Sequence, residues 1–486
     1  MITFGISIIL LLGGYFIYAQ VIERIQGVDS QRKTPAYSMR DDIDYTPLPW
    51  RKIFLIQFLN IAGLGPIFGA IAGAMWGPVA FIWIVFGSIF GGAVHDYFSG
   101  MLSVKHNGLS ITEIVGIYLG KFSKHAMSIF TVFLMVIVGA VFVLGPAKIL
   151  LDSTSLFSSI NSWIAIIFLY YILATLLPIH TIIGKIYPIF GFALIFMAIS
   201  LIVSIIWQGY TIPELTLNSF KNLHANPEKF PIFPMMFISI ACGAISGFHA
   251  TQSPLMARCI QNETHGRRVF YGAMIAEGIV ALIWAAIAMS FFGGVQELNT
   301  IMIEHNGNAA YVVNTIANSL LGTFGAILAI FGVIAAPIST GDTAFRGARL
   351  IVADFFKVSQ STLSKRILIS LPLFVGGFIL TFVQFDIIWR YFAWANQTLA
   401  VVVLWTITVY LAQEKKAYGI TLIPALIMTS VITAYLCISP EVFALSKPLT
   451  YSISIGISGI CGFAFYMYLK KHCTRSTRNM KRSIEN

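Results

Sequence analysis

The chain has 486 residues, 57% of them hydrophobic and only 10% charged, with a mean hydropathy of +0.82. Soluble proteins carry about 25% charged residues, so a soluble domain is excluded and a polytopic membrane protein is expected. The formal charge of +11 would suit nucleic acid, but its placement along the chain assigns it to membrane orientation instead.

A membrane-crossing helix needs ~20 apolar residues, and the sequence predicts thirteen such spans. The first, 3–22, has no basic leading segment and no convincing small-residue cleavage site, so it reads as a retained span rather than a signal peptide. The second, 53–75, carries Asn60 just before Gly63-Leu64-Gly65-Pro66. Glycine weakens a helix and proline cannot donate to it, so a broken span is expected. Spans 78–104, 126–150, 162–178 and 183–207 follow. Span 233–256 is again interrupted, over Gly243 to Pro254, by a stretch holding Ser246, His249, Thr251, Gln252 and Ser253. Then come 268–292 and, after a helix 309–321 lying along the outer face, 322–345, kinked at Pro337. Spans 366–388, 391–413, 419–438 and 450–470 complete the set.

With the N-terminus outside, every Lys and Arg falls on the cytoplasmic side except Lys148, Lys221, Lys229, Arg390 and Lys447. That is the positive-inside asymmetry, with binding to anionic membrane lipids as its by-product and no nucleic-acid partner. The C-terminus is then cytoplasmic. Cys242, Cys259, Cys437, Cys461 and Cys473 show no CxxC spacing, so no metal site or disulfide framework is expected. No Walker sequence is present, which leaves no sign of ATP as energy source.

Irregular backbone survives in hydrocarbon only where it lines a protected cavity. Two broken spans in corresponding places point to the substrate site of a secondary transporter. Without the first span, the breaks fall in the first and sixth of twelve, so the second set starts in the opposite orientation. This is the LeuT-type arrangement of five plus five inverted repeats. It divides the chain into an N-terminal helix and cytoplasmic loop (1–52), two repeats (53–207 and 208–413), two added helices (414–471) and a basic cytoplasmic tail (472–486).

Five separate segments add a resemblance. Ala62-Gly-Leu-Gly-Pro66-Ile-Phe-Gly, Gly92-Ala-Val-His-Asp-Tyr97, Ser246-Gly-Phe-His249, Gly341-Asp-Thr-Ala-Phe-Arg346-Gly-Ala-Arg349 and Trp394-Ala-Asn-Gln397 resemble the carbon starvation protein A family. The likeness runs from about Trp50 to about Leu411. It implies a LeuT-type fold within the amino acid–polyamine–organocation superfamily, and uptake of peptides or, in some members, pyruvate with protons. The chain is shorter than the long members and resembles the short branch of the family.

The residues suggest roles. The half-helix after Pro66 presents free N–H groups and a positive dipole end, suited to a substrate carboxylate. Asn60, Gly63 and Gly65 at the first break, with Ser246, His249, Thr251, Gln252 and Ser253 at the second, form the expected substrate-binding set. The alternative is that the hydroxyls only satisfy broken backbone. Glu277 lies about nine residues into its span, and an intramembrane carboxylate is a functional candidate. It is expected to carry a coupling proton with His249 as partner; the alternative is a buried anchor for the broken helices. Ser339, Thr340 and Asp342 after Pro337 match the place where LeuT-type transporters hold sodium, and Lys185 near Asp342 would favour protons instead unless it is an interfacial lysine. His95 and Asp96 are expected near the cytoplasmic end of their span, as a cap or gate; neighbours on a helix diverge by ~100°, which argues against a metal site. Asn396 and Gln397 are expected to interrupt their span and line the outer vestibule, or else to bond helix to helix.

These readings predict a secondary active importer in the bacterial inner membrane. It would move peptides or small carboxylates such as pyruvate with protons, and it uses no cofactor. A sodium-coupled amino-acid or carboxylate symporter and a transporter-like nutrient sensor are the alternatives. A channel would need a continuous pore, and a membrane enzyme would need His95, Asp96, His249 and Glu277 to converge; enzymatic activity is not expected.

Overall fold

In hydrocarbon every backbone N–H and C=O must find its partner within the chain, and the α-helix does this locally. A computed structural model describes residues 1–484 other than 43, 154–155, 177–186, 361 and 441. The regular structure among the described residues is helical, with one isolated bridge between Leu48 and Ile260 in place of any sheet. The helices are α1 (Ile2–Gln26), α2 (Trp50–Ile61), α3 (Gly65–Ala74), α4 (Val79–Lys105), α5 (Ile111–Leu119), α6 (Lys121–Ser153), α7 (Ile160–Leu176) and α8 (Tyr187–Trp207). They continue as α9 (232–240), α10 (Gly247–Ala257), α11 (Glu263–Phe291), α12 (Val295–Glu304), α13 (Ala309–Ala329) and α14 (Ala336–Phe356). The last four are α15 (Leu363–Leu380), α16 (Phe385–Gln413), α17 (Gly419–Ile438) and α18 (Lys447–Ile484).

Among the described residues ten helices are long and apolar enough to cross a membrane, or eleven with α2 and α3 taken as one span bent by 56°. They match eleven of the expected spans. Of the other two, α7 is apolar but short, and α14 carries Asp342, Arg346, Arg349 and Asp354. Gly322 breaks α13 with φ 55° and ψ −143°, at the expected boundary between the 309–321 helix and its span. The expected tail does not begin a separate segment, because α18 runs through it to Ile484.

Helices α2, α3, α10 and α11 form the interior. Trp284, Phe58, Phe248 and Phe270 there have at most 1% of their surface exposed. Lipid is as apolar as leucine, so burial alone does not drive this association; close packing and interhelical hydrogen bonds do.

The loops sort onto two faces. Lys105 pairs with Glu414 at 2.8 Å and Arg32 with Glu263 at 3.1 Å. Arg258 donates to the Gly108 carbonyl and Lys416 to that of Gln26. These contacts gather the basic segments around 26–32, 105–108, 258–263 and 414–416 on one face, as the sequence predicts. On the opposite face, the Met1 amino group pairs with Glu214 and Lys447 with Glu228.

Candidate functional site

Both breaks form, and they touch. Helix α2 ends at Ile61, Ala62 leaves helical geometry (φ −84°, ψ 45°), and α3 restarts at Gly65 with Pro66 in its first turn, where a missing N–H is harmless. Helix α9 ends where Ala241 turns to φ 21° and ψ −91°, and the chain is extended at Ser246 before α10 begins. A Cβ on Gly65 would lie 2.3 Å from that of Cys242, and one on Gly243 would lie 3.9 Å from the Cα of Pro66. At Gly65 only glycine leaves room for this approach.

The second break is narrower than predicted. It covers Ala241 to Ser246, and His249, Thr251, Gln252, Ser253 and Pro254 all lie within α10. Thr251 donates to the Phe248 carbonyl and Ser253 to that of His249, so two of the expected ligands bond their own helix. Nor do Asn396 and Gln397 interrupt a span: α16 is continuous, and both side chains are buried. The Asn396 oxygen accepts from the Phe248 N–H at 2.7 Å and the Ser246 hydroxyl at 3.0 Å, while its amide lies 3.2 Å from the Cys242 sulfur. Asn396 thus caps the start of α10 from a neighbouring helix. Gln397 donates to the Phe237 carbonyl and Ser88 to that of Gly243, which supplies partners to backbone near and within the break.

A chain of four buried ionisable groups runs beside this break. The Nδ1 atoms of His95 and His249 lie 2.8 Å from the two oxygens of Asp96. The Nε2 of His249 then faces Glu277 at 3.4 Å. All four side chains have 0% of their surface exposed. His95 and Asp96 are therefore neither interfacial nor apart: the short Asp96 side chain reaches back to its neighbour and across to α10 from α4. Asp96 and Asp342, not Glu277 alone, are acidic groups deep in helices. With Nδ1–H of His249 held by Asp96, a single proton can sit on Nε2 of His249, giving an imidazolium–carboxylate pair, or on Glu277, leaving both groups neutral.

Several buried polar atoms beside this chain lack a hydrogen-bond partner among the described residues. They are both amide atoms of Asn60, the carbonyl oxygens of Gln57 and Gln252, and both oxygens of Glu277. Unsatisfied buried groups are costly, at about 1–3 kcal/mol each, and concentrate where a ligand or ion is exchanged. Gln57 from α2 reaches Ser253 of α10 at 3.4 Å, so these groups bridge the two broken spans.

A second polar cluster lies on α14. Tyr187 donates to Asp342 at 2.8 Å, and Thr340 to the Leu59 carbonyl at 3.1 Å, close to where the first break frees backbone. Ser339 bonds its own helix at Ala336. Lys185 lies outside the described residues. Tyr187, Asn396 as a cap, Cys242 and Ser88 were not anticipated from the sequence; the Asn396-Gln397 and His95-Asp96 pairs were, but without their partners.

A cavity of about 350 Å³ opens on the face opposite the basic loops, between α3, α9 and α16. None of the expected substrate-binding residues lines it.

The family model for carbon starvation protein CstA matches residues 1–160 and 147–320. The chain belongs to the carbon starvation protein CstA family. It is 42% identical over 346 residues, 61% of this chain and 93% of the relative, to an uncharacterized membrane protein of Haemophilus influenzae. It is 28% identical to a peptide transporter CstA of Campylobacter jejuni over 56% of this chain and 47% of that one. Identity is also 28% to the pyruvate/proton symporter BtsT of Escherichia coli, over 58% of this chain and 48% of that one. The matches thus span about half the length of these two transporters. Among solved structures, a Na⁺-coupled sialic acid symporter superposes with a TM-score of 0.53 at 14% identity, over 93% of this chain and 96% of that one. A manganese transporter of Eremococcus coleocola gives 0.52 at 14% identity, over 90% and 99%. This CstA-family chain is a multi-spanning membrane protein with the helical fold of such transporters.

Proposed function

We propose that this CstA-family chain is a proton-coupled symporter of small carboxylates or peptides, working by alternating access. Its spans form two inverted five-helix repeats, flanked by one N-terminal and two C-terminal helices. The basic face is cytoplasmic, and the chain resides in the bacterial inner membrane with its N-terminus outside. The observation that carries this reading is the chain His95–Asp96–His249–Glu277, which ties α4 and α11 to the half-helix after the second break.

A bare carboxylate in a medium this poor in water costs several kcal/mol, roughly. Glu277 is therefore protonated in one state and paired or hydrated in another. Protonation alters the pairing of α10 with α11, and substrate held at Asn60, Gly63, Gly65, Gln252 and Ser246 alters the contact of the two breaks. Each biases the same equilibrium between inward- and outward-open states, which is what symport requires. His95 and Asp96 hold the imidazole of His249 in register. Asn396 and Gln397 act as hinge partners of the second break.

A second reading places sodium at Ser339 and Thr340, since Thr340 already bonds the Leu59 carbonyl beside the first break. Uptake of labelled pyruvate and dipeptides into proteoliposomes separates the two. A proton gradient alone drives accumulation in the first reading; a sodium gradient alone drives it in the second.

A further inference from the structure

We infer that a groove between α1, α4 and α17 holds an acyl chain of one anionic phospholipid, with the headgroup at the basic face and the end of the tail against the second break. The groove has a volume of about 430 Å³. Phe86 and Phe90 of α4 and Ile423 and Ile427 of α17 line it and are exposed, so it opens sideways to the membrane. Its length fits a lipid tail. It follows α17 from Gly419 to Met428, a rise of ~14 Å at ~1.5 Å per residue. One leaflet of a ~30 Å hydrocarbon core is ~15 Å deep, so a tail lying here runs from headgroup level to mid-depth.

The deep end meets the break. Ile245 lines the groove, and its N–H donates to the Ala241 carbonyl at 2.8 Å. Gly87 and Gly91 of α4 line the groove beside it. A Cβ on Gly87 would lie 2.8 Å from that of Ala244, and one on Gly91 would lie 3.4 Å from Cδ1 of Ile245. Helix α4 thus presses on the break from one side, and a tail in the groove packs on Ile245 from the other.

Charge selects the headgroup. A tail that moves from the bilayer into the groove leaves one apolar medium for another, so the tail does not choose among lipids. The shallow end does. Gly419 follows the turn 414–416, in which Lys415 is exposed and Lys416 donates to the Gln26 carbonyl at the end of α1. Lys105 stands at the same turn, paired with Glu414 at 2.8 Å. Three cations therefore face one carboxylate there. A phosphatidylglycerol headgroup, with its single negative charge, offsets the excess, and basic groups at the surface attract such lipids. A phosphatidylcholine headgroup brings its own cation.

Brominated lipids test both the place and the preference. The full-length protein is reconstituted in phosphatidylcholine vesicles with a rising fraction of phosphatidylglycerol brominated along its acyl chains, and the bromine is then moved to the phosphatidylcholine. Trp83 lines the groove, and its fluorescence is taken as the difference from Trp83→Phe. Phosphatidylglycerol is expected to quench it saturably, with at least ~fivefold preference over phosphatidylcholine. Lys415→Gln is expected to bring the two lipids close to parity, while Arg40→Gln elsewhere on the basic face leaves the preference unchanged. Mass spectrometry of the protein in mild detergent gives a reading that does not depend on Trp83: one phosphatidylglycerol retained per wild-type chain, and about fivefold less in Lys415→Gln. Equal quenching by the two lipids, no quenching by either (as a second copy of the chain in the groove would give), or preference and retention unchanged in Lys415→Gln would each overturn the assignment. Both readings are made without a gradient or transport, so they stand apart from the test of proton coupling.

Discussion

Asp96 holds two imidazoles at once, each at 2.8 Å, and so fixes which nitrogen of His249 faces Glu277. Asp96→Asn keeps the shape but replaces an acceptor-only carboxylate with an amide, leaving one imidazole without its partner. It is expected to abolish proton-driven accumulation while the helical circular dichroism stays native. Asn396 shows the structural counterpart. Its side chain serves the Phe248 N–H and the Ser246 hydroxyl, and Asn396→Ala strands both in a buried place. A loss of roughly 1–3 kcal/mol is expected, read as a lower midpoint of thermal unfolding in detergent. Asn396→Asp, which keeps the accepting oxygen, should recover part of it.

At the scale of elements, the two breaks meet through glycine. Gly65→Ala forces a methyl into Cys242, and overpacking of this kind costs about 1–3 kcal/mol. Adding Cys242→Gly removes the clash, so the double variant should unfold at a higher temperature than Gly65→Ala alone. The segment 208–231 on the opposite face offers a pH test. His224 is stacked between Trp76 and Phe230, its Nδ1 accepts the Asn226 N–H at 3.1 Å, and burial lowers its pKa from the ordinary 6.5 to about 4. Lys229, over the Phe230 ring, and Arg390 line the cavity beside it, and the Lys447–Glu228 pair lies on the same face. A depressed folded pKa means that the clasp is fully stable above about 6.5 and weakens as pH falls towards 4. Protection factors for amide exchange at 222–230, taken against the intrinsic rate at each pH, should therefore fall between pH 7 and pH 5. His224→Phe keeps the stack and should remove that dependence; an equal fall in both proteins would contradict the role given to the imidazole.

Over the whole molecule, the segregation of basic loops is a statement about orientation. A cysteine placed at Arg40 should react with an impermeant reagent only after the membrane is opened, and one at Glu228 should react in intact cells; the reverse pattern would invert the topology. Much of this architecture was legible in the sequence. Hydropathy marks eleven of the thirteen expected spans, and Gly63, Gly65, Pro66 and Gly243 mark both breaks, because backbone constraints are local. The second break is shorter than the sequence suggests because α10 accommodates Pro254 without ending there. Pairings were not legible. Asp96 and His249 are 153 residues apart, and their contact depends on the rotation and depth of two helices, which apolar pattern leaves free. The ~100° rule placed His95 and Asp96 on different headings and overlooked that a short carboxylate can serve both its neighbour and another helix. The proposal that protons drive this protein through Glu277 is tested by removing the proton that its carboxyl can carry. Glu277→Gln and the wild type are reconstituted in proteoliposomes and given labelled pyruvate or dipeptide, with a proton gradient and then with equal pH on both sides. Glu277→Gln is expected to lose accumulation under the gradient but to keep exchange at equal pH. Accumulation that persists in Glu277→Gln under a proton gradient, or uptake driven by sodium alone in the wild type, would contradict it.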